Sequence, residues 1–316
     1  MPVKISGFCG GTLRIDMMIR PKKRLGQHFL RDENIAMQIV GYLNPDCPLV
    51  LEIGPGMGVL TKYLLDRRNA AVRDASQCVS TIDPWFMEID REAAAYLKTK
   101  YPEIENRLIL GDFLEYDLDK FPPATIVETH RHASIPGPET HRDASLRKND
   151  QRFTVIGNFP YNISSQILFT VLQHRDRIPE VIGMFQKEVA ERIAAPPGNR
   201  TYGIISVLLQ AFYDIEYLMT VHEDVFYPPP KVKSAVIRLR RNATDKLNCD
   251  EALFTSVVKT AFNQRRKTLR NALRSMLPSP AEQAASAVLM EYLDLRAERL
   301  SVDDFVRLAT EISTFA

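Results

Sequence analysis

The chain has 316 residues, 45% of them hydrophobic, and a formal net charge of +2 at pH 7. This apolar content excludes a disordered chain, and the length suits one large domain plus a small one. The small net charge excludes a general polycation, so any affinity for nucleic acid must come from local basic clusters. No run of about 18 apolar residues occurs, which excludes a membrane-spanning helix of ordinary length.

The N-terminal segment and the cysteines indicate where the protein works. Residues 1–20 lack the apolar stretch of a secretory signal, and we expect a flexible tail there, although their basic character leaves a transit-type leader open. No C-x-x-C pair occurs, which argues against a zinc site and a disulfide framework. The cysteines are Cys9, Cys47, Cys78 and Cys249. We therefore expect a cytoplasmic protein without a bound metal.

Apolar runs alternate with helical patterns from residue 49 onward, which is typical of a parallel sheet built from βαβ units. The pattern predicts strands over Val50–Ile53, Arg107–Leu110, Thr154–Ile156, Val181–Phe185 and Ser234–Leu239. It predicts helices over Gly58–Asp66, Glu92–Lys100 and Ser164–Leu172. Beyond about residue 243 only helical patterns remain. We therefore expect a doubly wound α/β domain over residues 21–242 and a small all-helical domain over residues 243–316.

Two segments do not match this pattern. Residues 71–85 interrupt what should be a short connection between a helix and a strand, and residues 124–150 form a long polar stretch. They share the tetrapeptide RDAS, at 73–76 and 142–145, so we expect inserted surface loops. The alternative is a metal site formed by His130, His132 and His141.

The stretch EIGPGMG places Gly54, Gly56 and Gly58 between an apolar strand and a helix. Glycines there let the backbone approach a ligand and leave the first amides of the helix free. The third glycine comes one residue too early for the fingerprint G-x-G-x-x-G, which counts against a dehydrogenase. With Glu52 the stretch reads E-x-G-x-G-x-G, a pattern familiar from methyltransferases that use S-adenosylmethionine. A merely tight turn is the alternative.

Acidic residues follow the next two predicted strands. Glu88, with Asp90 two residues on, suits the hydroxyls of a ribose, and Asp112 suits the amino group of adenine. Each acid alone is more often a helix cap or a surface residue. Ligands of open α/β sheets bind outside the carboxyl ends of the strands, so the acids and the glycine stretch together predict one ligand-binding crevice.

The stretch VIGNFPYNISS (155–165) includes the end of the fourth strand and so faces the same crevice. An amino nitrogen on an aromatic ring is a weak nucleophile because its lone pair is delocalised, and acceptors that hold its N–H groups free this pair. Asn158 offers a side-chain oxygen, and Pro160 holds in place a backbone carbonyl that offers a second. Tyr161 offers a flat surface on which a purine can stack. These residues predict a catalytic pocket for an amino-bearing base.

Two basic clusters are candidates for nucleic-acid binding. RPKKRLGQHFLR (20–31) contains Lys22, Lys23 and Arg24, and we expect these to flank the pocket. FNQRRKTLRNALRS (262–275) contains Arg265, Arg266, Lys267 and Arg270, which we expect on one and a half turns of a helix. The alternative for each cluster is a solvated helix face.

Several stretches together resemble the ribosomal RNA small-subunit adenine N6,N6-dimethyltransferases. They are RPKKRLGQHFLRD, LEIGPGMGVLT, MEIDRE, GDFLEYD, VIGNFPYNISSQI, QKEVAERIAA, TYGIISVLLQ, VFYPPPKVKSAVIRL and FNQRRKTLRNAL. The resemblance extends from about residue 20 to the C-terminus, and GNFPYN together with VFYPPPKVKSAV is specific to this family. It implies a Rossmann-like methyltransferase sheet. It also implies dimethylation of two adjacent adenosines in a hairpin loop near the 3′ end of small-subunit rRNA, late in subunit assembly.

The resemblance further implies the donor, the partner and the site residues. S-adenosylmethionine is the expected co-substrate, the small ribosomal subunit is the expected partner, and we expect a monomer. The donor-binding residues it implies are His28, Leu30, Gly54, Gly56, Glu88, Asp112 and Asn158, and many relatives have asparagine at His28. Tyr161 is the implied stacking residue, and the two basic clusters are the implied contacts to RNA.

Two points depart from the family pattern or leave an alternative open. The RDAS segments are absent from the pattern, and Pro84 is unfavourable in a central parallel strand, which puts the strand before Glu88 in doubt. Some mitochondrial relatives serve as transcription or assembly factors. A role in which nucleic-acid binding outweighs methylation therefore stays open.

Overall fold

The computed structural model describes residues 19–73, 82–123 and 151–315. Most of the predicted tail, the centre of the first predicted loop and the whole of the second lie outside the described residues, and so do Cys9, Cys78, His130, His132 and His141. Within the described ranges no group of His, Cys, Asp and Glu side chains is arranged to hold a metal ion. No helix there is long and apolar enough to cross a membrane.

The described strands form one large sheet and one small one. They are β1 (Phe29–Leu30), β2 (Leu49–Ile53), β3 (Asp83–Glu88), β4 (Leu108–Leu110), β5 (Thr154–Asn158), β6 (Glu180–Gln186), β7 (Tyr213–Val221), β8 (Phe226–Tyr227) and β9 (Ser234–Arg241). The large sheet has the order β4-β3-β2-β5-β6-β9-β7, and β1 pairs with β8 in the small antiparallel sheet. The chain moves outward from β2 to β4 and returns to the other side of β2 as β5. Ligand crevices of α/β proteins form where the strand order reverses in this way.

The helices lie between the strands and after the last one. They are α1 (Glu33–Gly41), α2 (Val59–Arg73), α3 (Arg91–Lys100), α4 (Ser164–Gln173), α5 (Lys187–Ala194), α6 (Ile204–Gln210), α7 (Glu251–Asn263), α8 (Leu269–Ala272), α9 (Pro280–Ala285), α10 (Ala287–Tyr292) and α11 (Val302–Ser313). Short 3-10 turns cover Lys23–Leu25, Pro102–Arg107, Leu118–Lys120, Glu223–Val225 and Ala297–Arg299. Asp32 begins α1 because its carboxylate accepts the N–H groups of Asn34 and Ile35.

The predicted α/β fold is confirmed, the five strands whose bounds were predicted correspond to β2, β4, β5, β6 and β9, and the strand expected before Glu88 is β3. The sequence pattern missed β7, which lies at the edge of the sheet. Its first half alternates Tyr213, Ile215 and Tyr217 with Asp214 and Glu216, which is the pattern of a half-buried strand, so a sequence signal was present and was overlooked. It also missed β1 and β8, whose two residues each are too short for any periodicity.

The doubt about Pro84 is resolved by its place in β3. Helix α2 extends to residue 73 and strand β3 begins at residue 83, so the loop predicted over residues 71–85 was too long at both ends. The N–H of Asp83 donates to the carbonyl of Pro48 on the β2 side, so the nitrogen of Pro84 points away from β2. Pairing with β4 begins only at Phe86. The missing N–H of Pro84 therefore leaves no ladder acceptor unpaired.

The sheet separates two layers of buried apolar side chains. On one face, Val50 packs with Ile39 of α1. On the other face, the layer includes Ile167 of α4 and continues into Phe254 of α7 and Phe305 of α11. Helices α7 and α11 both contact α6, so the C-terminal helices share the apolar layer of the sheet. A separate helical domain over residues 243–316 stays a prediction.

Candidate active site

A cavity of about 260 Å³ opens at the carboxyl ends of β2, β3, β4 and β5. The predicted residues that line it are Arg24, His28, Gly54, Gly56, Glu88, Asp112, Asn158, Pro160 and Tyr161. The side chain of Leu30 is buried in the apolar layer on the α1 face and does not line this cavity, so its contact with the donor stays a prediction. The structure thus brings the residues predicted to bind the methyl donor and those predicted to bind the target base to one cavity, with Leu30 in the apolar layer next to it.

The glycine stretch approaches the cavity with its backbone. Gly54 and Gly56 have φ angles of 66° and 56°, which residues with a side chain rarely adopt. A Cβ at Gly54 would meet no atom within 4 Å, so it would occupy open space at the cavity wall. A Cβ at Gly56 would come within 2.9 Å of the Phe29 ring. These glycines leave room for a ligand against the backbone, which fits the expected donor.

Glu88 lies at the end of β3 and is 2% exposed. Its Oε2 accepts the N–H of Gly56 at 3.0 Å, and its Oε1 accepts the N–H of Asp90 at 2.9 Å. Burial raises the pKa of Glu88 above its ordinary value, and these two backbone hydrogen bonds oppose that rise. The carboxylate therefore joins β3 to the glycine stretch, and each oxygen keeps a lone pair that can accept a ribose hydroxyl.

Glu52, the first residue of the glycine pattern, has a structural role. It is buried on β2, does not line the cavity, and its Oε2 accepts the hydroxyl of Thr61 at 2.7 Å. Burial raises the pKa of Glu52 to about 8, with the Thr61 hydrogen bond lowering it and the nearby Glu88 raising it. Glu52 is consequently protonated near neutral pH, which avoids two adjacent buried charges.

Asp90 caps α3 and anchors the N-terminal segment. Its Oδ1 accepts the N–H of Glu92 at 3.0 Å and the ammonium of Lys22 at 2.6 Å. Burial alone would raise the pKa of Asp90, but the bonds from Lys22 and from the Glu92 N–H outweigh it and hold the pKa below its usual value. Lys22, predicted to bind RNA, is thus engaged with the acids at the start of α3.

Asp112 lines the cavity just after β4. Its Oδ1 accepts the N–H of Leu114 at 2.9 Å, and its carbonyl accepts the N–H of Tyr116. These bonds set the direction of the carboxylate, and an ionised carboxylate has acceptor sites beyond the one that Leu114 uses. The predicted contact with an adenine amino group is compatible with this arrangement.

Asn158 ends β5 with its amide oriented by the N-terminal segment. Its Nδ2 donates to the carbonyl of His28 at 2.7 Å, and because a carbonyl can only accept, Oδ1 points elsewhere. Among the described residues no donor reaches this Oδ1. The N–H of Ile163 uses one of the two lone pairs of the Pro160 carbonyl, so the carbonyl of Phe159, which precedes the proline, is the stronger candidate for the second acceptor. Asn158 is therefore held as an acceptor at the cavity.

Tyr161 and His28 stack at the mouth of the cavity. Their ring centroids are 5.3 Å apart and their planes meet at 27°, so one face of Tyr161 is covered. The Tyr161 hydroxyl hydrogen-bonds the hydroxyl of Ser234, and burial raises the pKa of Tyr161. The Nδ1 of His28 donates to the carbonyl of Pro228 at 2.7 Å, which leaves Nε2 as the free ring nitrogen. A base can stack only on the other face of Tyr161.

A comparison with protein families identifies the chain. The model of the ribosomal RNA adenine dimethylase family matches residues 18–314. The chain belongs to this family. A ribosomal RNA small subunit methyltransferase A from Parabacteroides distasonis is 48% identical over 92% of this chain and 93% of its own length. The protein of the same name from Cytophaga hutchinsonii is 48% identical over 93% of this chain and 98% of its own length.

Solved structures agree with this adenine dimethylase family in fold. A dimethyladenosine transferase from Plasmodium falciparum superposes with a TM-score of 0.61 at 21% identity, covering 89% of this chain and 96% of that one. The 23S rRNA methyltransferase ErmE superposes with a TM-score of 0.59 at 23% identity, covering 90% of this chain and 99% of that one. The predicted Rossmann-like methyltransferase fold is thereby confirmed.

The sequence pattern predicted that the second basic cluster of this adenine dimethylase lies on one and a half turns of a helix. This prediction is wrong. Arg265, Arg266 and Lys267 lie in the turn between α7 and α8. Arg265 pairs with Glu298 at 3.1 Å, and Arg270 pairs with Asp294 at 3.0 Å. Arg266 and Lys267 are exposed. The helix prediction failed because Gln264 ends α7 and Thr268 begins α8.

Sequence reasoning also missed residues that shape the site. Gln27, Ile89 and Phe113 line the cavity, and Ser234 orients Tyr161 from the start of β9. Ile89 and Phe113 directly follow Glu88 and Asp112, so their positions next to the predicted acids were the available signal. For Ser234 no local signal existed, because it meets Tyr161 across 73 residues of chain.

Proposed function

We propose that the protein dimethylates N6 of two adjacent adenosines in a hairpin loop near the 3′ end of small-subunit rRNA, using S-adenosylmethionine. The names of the relatives support the class of RNA, and the family supports the reaction. The observation that carries the proposal is the amide of Asn158, held by His28 so that its oxygen is an acceptor beside Gly54 and Glu88. The product is N6,N6-dimethyladenosine, and the partner is the assembling subunit in the cytoplasm, bound by a monomer.

The donor half of the proposal assigns roles to the strand ends. When bound, S-adenosylmethionine supplies a sulfonium methyl group that a nitrogen can attack, and the sulfur then leaves as a neutral thioether. The glycine stretch from Gly54 to Gly56 would hold its methionine end, Glu88 its ribose and Asp112 its adenine. This assignment places the carboxylates of Glu88 and Asp112 at hydroxyl and amino groups, which can donate to them.

The acceptor half depends on Asn158 and its neighbours. The Oδ1 of Asn158 and the carbonyl of Phe159 would hold the two N–H groups of the target amine, so that its lone pair is no longer delocalised into the ring and can attack the methyl group. The free face of Tyr161 would stack the base, which stabilises an unstacked nucleotide by about 1–3 kcal/mol. Methyl transfer leaves a positive charge on the nitrogen, which makes its remaining proton strongly acidic. None of these groups is a strong base, so this proton passes to water.

The decisive experiment measures N6,N6-dimethyladenosine by mass spectrometry. Small subunits that lack the modification are incubated with S-adenosylmethionine and either wild type or Asn158→Ala. We expect dimethylation by wild type and a loss of rate of at least about 100-fold in the variant, the size of effect seen when one polar group is removed from a transition state. Donor affinity, measured by calorimetry, should fall much less. Asn34→Ala, an exposed asparagine on α1, is the matched control.

Two outcomes would contradict the proposal. An absence of dimethyladenosine with wild type would refute the reaction, and full activity of Asn158→Ala would refute its role. The role as a binding or assembly factor makes a different prediction, namely that Asn158→Ala restores subunit assembly in a strain lacking the protein. Restoration without methylation would show that binding is the main function.

A further inference from the structure

Tyr227 presents an aromatic ring to solvent beside the candidate active site. It pairs with Phe29 across the small sheet of β1 and β8, and its side chain is 42% exposed, whereas its neighbour Phe226 is 2% exposed. Successive side chains of a strand point to opposite faces, so Phe226 enters the core and Tyr227 faces outward. The register of the pair therefore holds Tyr227 outside the core at a fixed position.

A planar cation accompanies this ring. The guanidinium carbon of Arg31 lies 6.0 Å from the centroid of Tyr227, and the backbone N–H of Arg31 donates to the carbonyl of Val225 at 2.9 Å. This backbone bond continues the pairing of β1 with β8 and fixes the position of the Arg31 backbone, from which the side chain extends. Because the guanidinium lies over one face of the Tyr227 ring, a nucleobase can stack on the other face or on the guanidinium itself, and both kinds of group stack on nucleobases.

Tyr227 stands between two hollows that both carry lysines. One hollow lies on the side of Tyr161 and is lined by Lys23 and Lys231, and no acidic residue lines it within the described part of the chain. The other lies on the side of the glycine stretch and is lined by Lys62 and Lys100. Its acid Glu33 already binds Lys62 and the hydroxyl of Tyr63.

We infer that Tyr227 and Arg31 form a stacking platform for a nucleotide that flanks the target adenosine in single-stranded RNA. The inference rests on the proposed function and assigns a positioning surface to it. Lys23 and Lys231 on one side, and Lys100 on the other, contact the phosphates of the same strand. An exposed ring between basic hollows is the arrangement by which proteins bind unpaired nucleic acid without reading its sequence.

This arrangement favours RNA over a protein partner. The hollow next to Tyr161 is lined by two lysines together with apolar and proline residues, and none of the described residues that line it has a carboxylate, so it attracts a polyanion. A nucleotide held on Tyr227 keeps the unpaired strand beside Tyr161, because both residues line this hollow. The platform therefore positions the strand without taking part in methyl transfer.

The test compares Tyr227→Leu with Tyr227→Phe, using unmethylated small ribosomal subunits as substrate. Leucine keeps apolar area but cannot stack, and phenylalanine keeps the ring face. We expect Tyr227→Leu to raise the KM for subunits by about 5- to 100-fold, the range that corresponds to loss of one stacked base. The kcat should change less than the KM. Tyr227→Phe should stay within about twofold of wild type, as should Phe169→Ala, a control at a ring that is 36% exposed elsewhere.

Three further measurements make the outcome unambiguous. Affinity for S-adenosylmethionine should be unchanged in every variant, and a fall would show damage to the cavity and overturn the inference. If Tyr227→Leu unfolds at a lower temperature, Arg31→Gln decides, since it should raise the KM for subunits by at least about twofold. An unchanged KM in Tyr227→Leu, or equal losses in the leucine and phenylalanine variants, would also overturn it. A wild type that binds subunits without forming dimethyladenosine would refute the proposed function alone.

Discussion

The cavity at the carboxyl ends of the strands and the second basic cluster, in and just after the turn between α7 and α8, hold their charged groups in opposite ways. Glu88 is 2% exposed, and backbone N–H groups occupy both of its oxygens. Arg265 and Arg270 have side chains that are 38% and 39% exposed, and they pair with carboxylates of other side chains. Backbone donors are fixed by the fold, whereas exposed ion pairs compete with water. A substitution in the cavity therefore alters geometry, and one in the basic cluster alters mainly charge.

The largest effect of this difference is expected from Glu88→Gln. Glutamine offers one acceptor and one donor group, so either the N–H of Gly56 or that of Asp90 must lose its partner. We expect the affinity for S-adenosylmethionine to fall by about 10- to 100-fold, since a hydrogen bond to a charged group contributes about 1.5–3 kcal/mol. Calorimetry measures the change, with the exposed Glu92→Gln as control. Equal affinity in Glu88→Gln would remove Glu88 from the donor site.

The buried carboxyl of Glu52 should make stability depend on pH. Its pKa is raised to about 8, above its unfolded value, so the folded state keeps a proton that the unfolded state releases. This contribution is present below the unfolded pKa and is lost as pH rises to about 8, at roughly 1.4 kcal/mol per pH unit. Glu52→Gln can still accept from Thr61 and should lack this loss. Urea unfolding from pH 5 to 9 measures the free energy of unfolding. The difference between Glu52→Gln and wild type should shift in favour of the variant as pH rises, whereas the exposed Glu103→Gln should follow wild type.

The exposed cations Arg266 and Lys267 in the turn should act on RNA rather than on stability. Arg266→Ala combined with Lys267→Ala should reduce the slope of log affinity for small subunits against log salt by about 1.4–1.8, which is the loss of two phosphate contacts. Binding titrations in increasing KCl measure this slope. Unfolding temperature and donor affinity should not change, and Lys246→Ala, in the connection before α7, is the control. An unaltered slope would place the RNA elsewhere.

The smallest effect is expected from Arg270→Ala. It removes the pair with Asp294 and a hydrogen bond to Gln283, and an exposed pair of this kind stabilises a fold by less than about 1 kcal/mol. The salt slope of subunit binding should stay near that of wild type. A slope that falls by about one unit would show that Arg270 leaves Asp294 for a phosphate, and the contrast between the paired arginines and the exposed Arg266 and Lys267 in this cluster would fail.

Residues at strand ends were predictable because topology brings them together. Gly54, Glu88, Asp112 and Asn158 follow four different strands, and the parallel order places all four at one edge. Their spacing along the chain carries this information, since each comes directly after an apolar run.

Partners of exposed charges were not predictable in the same way. The pairing of Lys22 with Asp90 joins residues 68 positions apart, and that of Arg265 with Glu298 joins residues 33 positions apart. Nothing near either cation in the sequence indicates an acid. The side chain of Leu30 shows the same limit, because an apolar residue beside a binding motif fits a ligand contact and a core position equally well.

The apolar layer that runs from the sheet into α7 and α11 bears on how the protein unfolds. Phe254 and Phe305 are buried in the same layer as Ile167 of α4, so separating the C-terminal helices would expose apolar area on both parts at once. Two parts that share a core in this way lose it together and behave as one cooperative unit. Heating should then give a single calorimetric transition, and residues 243–316 expressed alone should not form a stable helical bundle.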